Sequence, residues 1–90
     1  MATVHLIVKG RVQGVFYRAS AKKMADKTGI TGKVRNREDG DVEIWATGTE
    51  ERLQEFIAWC KEGPSGAQVS AVVPEWLPDQ PFTGFSIVRK

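Results

Sequence analysis

The chain has 90 residues, 41% hydrophobic and 27% charged, the proportions of an ordinary folded domain rather than a disordered or membrane-spanning one. Splitting it would leave halves too small to bury a core, so a single domain over residues 1-90 is expected. Thirteen Lys and Arg against eleven Asp and Glu leave a charge of +2, too small a surplus to point to nucleic acid, and one cysteine, Cys60, excludes an intrachain disulfide or a cysteine-based zinc site.

From Thr3 to Val8 the chain is rich in β-branched residues, with Val4, Leu6 and Val8 on one face, which reads as a central strand. His5 and Lys9 interrupt its apolar run, and nowhere do about eighteen apolar residues follow one another, so neither a leader nor a membrane span is expected and the cytoplasm is the expected setting. After a glycine-containing segment, Tyr17, Ala21, Met24, Ala25 and Thr28 recur at helical spacing up to Gly29, a C-cap residue. Ile30, Gly32 and Val34 then alternate with polar residues, as do Val42, Ile44 and Ala46. The Asp39-Gly40 pair between the two runs predicts a hairpin. Thr47 with Glu50 reads as a capping box opening a second helix, whose stripe of Leu53, Phe56, Ile57 and Cys60 ends at Gly63-Pro64. Val69, Ala71 and Val73 give a fourth strand, and Phe85 with Ile87 a short fifth. Pro74, Pro78 and Pro81 assign these last segments to edges. This order predicts an α+β, ferredoxin-like split βαβ fold, an antiparallel sheet with two helices on one face.

The first strand-to-helix junction, Gly10 to Arg18 (GRVQGVFYR), carries two glycines, two arginines and no acid. A helix start exposes N–H groups that no helical carbonyl reaches, and the helix dipole adds partial positive charge there. Gly10 and Gly14 permit a backbone that curls those N–H groups inward as a nest, and Arg18 adds a bidentate donor, which together would suit a phosphate. The plainer alternative is a glycine turn followed by a solvated arginine. A cation in the first helical turn opposes the dipole unless an anion sits beside it, which favours the anion reading. The segment lacks both the Gly-Lys-Ser/Thr ending of a nucleotide P-loop and the third glycine of a dinucleotide fingerprint. Asn36 continues the phase of Gly32 and Val34, placing an amide where an apolar residue would be expected; it either bonds its own turn or holds a water or a phosphate oxygen.

GRVQGVFYR, with Gly32-Lys33-Val34-Arg35-Asn36 further on, resembles the signature of the acylphosphatases, small enzymes of this split βαβ fold. The similarity runs on through Gly63-Pro64 and Val69 to Gly84-Phe85-Ser86-Ile87, essentially the whole chain. The resemblance implies hydrolysis of an acyl phosphate, a small molecule, to a carboxylate and inorganic phosphate. It implies that Gln13, Gly14, Val15, Phe16, Tyr17 and Arg18 wrap the phosphoryl group, that Arg18 binds it and that Asn36 positions the attacking water. Phe16 stands where members vary, and Arg37 follows Asn36 where a smaller residue can occur; neither touches these roles. A carboxylate leaving group, with a conjugate-acid pKa of about 4, departs without a proton, so the chemistry needs no general acid.

The remaining candidates have simpler readings. His5 has no nucleophile partner by motif, Cys60 completes an apolar stripe, and Trp45, Trp59 and Trp76 are expected to pack. No ligand cluster has metal spacing, so neither metal nor cofactor is expected, and a monomer is the simplest assembly. Two rival functions share the fold: an RNA-binding module, for which the central strands lack the stacking aromatics, and a non-catalytic anion-sensing domain or a domain of a larger maturation enzyme.

Overall fold

A computed structural model describes residues 1–89. In chain order they form β1 (Ala2–Arg11), α1 (Tyr17–Thr28), β2 (Thr31–Asn36), β3 (Val42–Gly48), α2 (Glu50–Glu62), β4 (Gln68–Leu77) and β5 (Phe85–Val88). The sheet order is β4-β1-β3-β2-β5. β3 runs antiparallel between β1 and β2, and β1 antiparallel between β3 and β4, so each helix bridges two strands that are parallel but not adjacent. The even-numbered residues Val4, Leu6, Val8, Val34, Val42, Ile44 and Ala46 face one way and are fully buried, in one cluster with Ala21 and Ala25 of α1 and Leu53, Phe56 and Cys60 of α2. Both helices therefore cover the same face of the sheet.

The sheet is mixed, where an antiparallel one was expected: β5 pairs parallel to β2, with Val34 opposite Ile87 and Arg35 opposite Val88. The connection explains it. β4 and β5 occupy opposite edges, so residues 78–84 cross the end of the sheet where β1 begins, and β5 re-enters running the same way as β2. Two buried threonines hold this crossing. Gln80 N–H donates to Thr3 Oγ1 (2.8 Å), Thr47 Oγ1 donates to the Gln80 carbonyl (2.8 Å), and the two hydroxyls lie 2.6 Å apart.

Two local readings change. Thr47 is used in that clasp, and the N-cap of α2 is Thr49, whose hydroxyl accepts from Arg52 N–H (3.2 Å) with Glu50 and Glu51 in the first turn. On β4, Val69 and Val72 pack against the core while Ala71 and Val73 point away. Lys9 pairs with Ala71 but Gly10 pairs with Val69, so Ser70 is an extra residue that reverses the phase of the strand. Gly10 makes the bulge possible, because a β-carbon there would overlap the Gln68 carbonyl. Pro74 sits on this edge strand, as expected, and Trp76, near its end, is 45% exposed rather than packed.

On the uncovered face Glu43 is buried between two donors: His5 Nε2 reaches its Oε2 at 2.7 Å and Arg35 Nε its Oε1 at 2.7 Å. An ionised carboxylate only accepts, so the His5 Nε2 carries the proton. Burial pushes the Glu43 carboxyl upward, but the hydrogen bonds from His5 and then Arg35 outweigh it and hold the group below its ordinary 4.5. A depressed folded-state pKa stabilises the fold above the ordinary value and loses that contribution as pH falls through the folded one. The stability gap between the wild type and Glu43→Gln, measured by urea unfolding, should accordingly be widest near neutral pH and narrow below about pH 4.5. A gap independent of pH would contradict this account of the carboxylate.

Candidate active site

The segment between β1 and α1 is pinned at both ends by buried side chains, Val12 and Tyr17. Tyr17 lies against Trp59 (ring centroids 5.4 Å apart), and its hydroxyl donates to the Cys60 carbonyl at 2.7 Å. The residue four beyond Cys60 is Pro64, which has no N–H to give that carbonyl, so the tyrosine supplies the missing donor. Burial, then the neighbouring Cys60, raises the Tyr17 phenol far above its ordinary 10.0, and burial pushes the Cys60 thiol up to about 12, so both keep their protons. Gln13 turns to the other side. Its Nε2 donates to the carbonyls of Arg37 and Asp41, both at 2.8 Å, tying the segment to the β2–β3 hairpin.

Between these anchors the backbone takes left-handed dihedrals at Gly14 (φ 75°) and at Phe16 (φ 64°, ψ 27°). Phe16 is the sole non-glycine residue with positive φ among those described, and its ring is 81% exposed. Such a conformation costs on the order of 1 kcal/mol, and no burial of the ring offsets it. Its effect is on the main chain: it turns the segment directly into the first turn of α1. The first bond within that helix runs from Ser20 N–H to the Phe16 carbonyl (3.0 Å), leaving the N–H groups of Tyr17, Arg18 and Ala19 without helical acceptors. Among the described residues α1 has neither a side-chain N-cap nor an acid in its first turn, in contrast to α2. An N-terminus left open in this way attracts anions.

It opens on a cleft of about 360 Å³. Gly14, Phe16, Tyr17 and Arg18 line one side and Asn36, from the end of β2, the other. Asn36 Oδ1 is buried and has no hydrogen-bond partner, so it does not bond its own turn. A buried acceptor without a donor is unfavourable by about 1–3 kcal/mol unless water or a ligand supplies one. No carboxylate of the described residues lines the cleft, and Arg18 makes no ion pair with them. The structure thus brings together five of the residues singled out from the sequence, Gly14, Phe16, Tyr17, Arg18 and Asn36. Gln13 and Val15 do not line the cleft: Gln13 braces the hairpin, and Val15 packs toward the core beside Gly66. The lining also includes Ile87 and Arg89, and Arg89 is a cation the sequence reading passes over. Its signal was the alternation Phe85, Ile87, Arg89, visible only once β5 is known to extend toward the chain end.

The model of one family, described as Acylphosphatase, matches residues 4–87. The chain belongs to the acylphosphatase family. It is 47% identical over 90 residues to an acylphosphatase of Methylococcus capsulatus, covering 99% of this chain and 98% of that one. It superposes on the crystal structure of the Bacillus subtilis acylphosphatase with a TM-score of 0.95 at 39% identity, covering 98% and 99% of the two chains. A third similarity is to HypF of T. kodakarensis, at 29% identity and a TM-score of 0.86, where all of this chain matches 12% of that one. In all three comparisons the match reaches across the whole split βαβ unit, including the junction at Gly14 and the strand end at Asn36 that frame the cleft here.

His5 lies on the uncovered face of the sheet, away from this cleft, tied to Glu43 and edge-on to Trp45 at 5.0 Å, and Cys60 is buried on the core face of α2. Among the described residues no helix is long and apolar enough to cross a membrane. Among the described residues no three His, Cys, Asp or Glu side chains converge as metal ligands.

Tyr17 joins the cleft to the core, and its contribution can be measured. Tyr17→Phe keeps the ring but leaves the buried Cys60 carbonyl without a donor, and should lower stability by about 1–3 kcal/mol in urea unfolding. An unchanged midpoint would mean that water takes the place of the hydroxyl.

Proposed function

We propose that this chain hydrolyses acyl phosphates in the Arg18–Asn36 cleft, releasing a carboxylate and inorganic phosphate. The observation that carries the reading is the pairing, in one cleft, of an uncapped helix start bearing a guanidinium with Asn36, whose amide oxygen has no partner among the described residues. The phosphoryl group sits against the N–H groups that begin α1, and Arg18 donates to its oxygens through both arms of the fork. Phosphoryl transfer asks chiefly for positioning and for neutralisation of charge on the equatorial oxygens, which these donors supply without rearranging.

Asn36 lines the cleft, and no group of the described residues engages its amide oxygen. An amide both donates to and accepts from a water, and we assign Asn36 to hold the nucleophile. The water oxygen forms a bond to phosphorus as the bond from phosphorus to the acyl oxygen breaks. The electron pair leaves with the carboxylate, which needs no proton, and the proton of the water passes to a phosphoryl oxygen. Among the described residues no carboxylate or histidine lines the cleft to take it, and the guanidiniums there are already protonated.

The chain acts on a small molecule, and we assign it no nucleic-acid or membrane partner, a monomeric state and a cytoplasmic setting; the one buried, protonated thiol suits a reducing compartment. The RNA-binding alternative finds no support on the uncovered face, where Trp45 is half-buried beneath Lys33 (4.5 Å to the ring) instead of open for stacking.

Turnover of benzoyl phosphate beside p-nitrophenyl phosphate tests the class of reaction: phosphate release from the first alone is expected, since its leaving group departs unprotonated. Asn36→Ala should lower kcat about 100-fold or more while leaving inhibition by inorganic phosphate close to wild type, whereas Arg18→Ala should weaken both. Near-normal turnover by Asn36→Ala would refute the water-holding role. EDTA should leave the rate unchanged, because every positive charge the mechanism uses belongs to the chain.

A further inference from the structure

Arg89 lies outside the stretch that the family model matches, which ends at residue 87. Yet it lines the same cleft as Arg18 and Asn36. Its position follows from the parallel direction of β5. Gly32 stands opposite Phe85, Val34 opposite Ile87 and Arg35 opposite Val88, so the next residue comes abreast of Asn36. Strand alternation gives Arg89 the phase of Phe85, which is buried under the helices, and of Ile87, which lines the cleft. Had β5 run antiparallel, the chain end would lie at the opposite end of the sheet.

The cleft therefore carries two guanidinium groups and no carboxylate of the described residues. Other arginines nearby are neutralised: Arg35 by Glu43 at 2.7 Å and Arg37 by Asp39 at 3.2 Å. Arg18 and Arg89 form no such pair with the described residues. Two permanent cations facing one concavity repel each other until an anion lies between them, and a phosphoryl dianion carries one charge for each. Arg18 approaches from the helix side and Arg89 from the sheet edge.

We propose that Arg89 is the second cation of the phosphoryl site, binding the oxygens opposite Arg18 so that the site selects the dianionic over the monoanionic form of its ligand. The proposal rests on the reading of the cleft as a phosphoryl site. The probe is inorganic phosphate, with its dissociation constant measured calorimetrically from pH 5.5 to 8.5 for the wild type, Arg89→Ala, Arg89→Lys and Arg18→Ala, alongside KM and kcat for benzoyl phosphate. Far-UV circular dichroism checks that each variant is folded.

The wild type should bind phosphate more tightly as it becomes dianionic. Arg89→Ala should bind about tenfold more weakly at the upper end and lose most of this pH dependence, with KM rising more than kcat falls. Arg89→Lys should recover part of the loss, because it restores the charge without the fork. Affinity within twofold of wild type and an unchanged pH profile in Arg89→Ala would overturn the proposal, provided Arg18→Ala loses binding. Phosphate affinity that survives Arg18→Ala as well, or a wild type inert toward benzoyl phosphate, would instead refute the reading of the cleft itself.

Discussion

A helix whose first amides have nothing to donate to is an electrostatic imbalance, and the surroundings of α1 are built around keeping that imbalance rather than removing it. The remedy is available elsewhere in the chain, where Thr49 caps α2 and two glutamates sit in its first turn. At α1 the described residues offer no cap, place an arginine in the first turn and hold Phe16 in a left-handed conformation that a phenylalanine disfavours. Buried anchors at Val12 and Tyr17 and the double bond from Gln13 to the hairpin keep the segment in this state. Stability in the core and its clasps is what allows an unsatisfied backbone to persist at the surface.

The topology decides what faces that backbone. β1, β2 and β5 all run the same way, so the junction after β1, the amide at the end of β2 and the residue following β5 gather at one end of the sheet. The opposite end is closed by the crossing of residues 78–84 under its threonine clasp. One end of the sheet is thus free for chemistry because the other end carries the long connection. The uncovered face takes no part: its Glu43 is satisfied by His5 and Arg35.

Much of this was legible from residue order. Alternation and helical spacing located the elements, because the core faces of β1, β2, β3 and both helices are apolar at the right period; Gly29 closes α1 and Asp39-Gly40 lies in the turn between β2 and β3. The junction and Asn36 stood out because each broke a local rule, a cation at a helix start and an amide in an apolar phase. The misreadings came from interactions distant in sequence. The bulge at Ser70 depends on how β4 meets Gly10, so the strand's own alternation cannot show it. Thr47 resembles a cap until Thr3 and Gln80, 44 and 33 residues away, are seen to claim its hydroxyl. The direction of β5, and with it the place of Arg89, depends on a connection without any period to read.

The order of strands also bears on how the molecule comes into being. β1 is the first strand to be synthesised, yet it lies inside the sheet, flanked by β3 and by β4. Its second neighbour is complete only at Leu77, and the clasp at Thr3 waits for Gln80. An emerging chain therefore holds β1, β3 and β2 by Gly48, while the strand on the other side of β1 and the clasp come only after α2. The β1–β4 pairing joins residues far apart in the sequence, and slow folding is the natural companion of a topology built on such pairings.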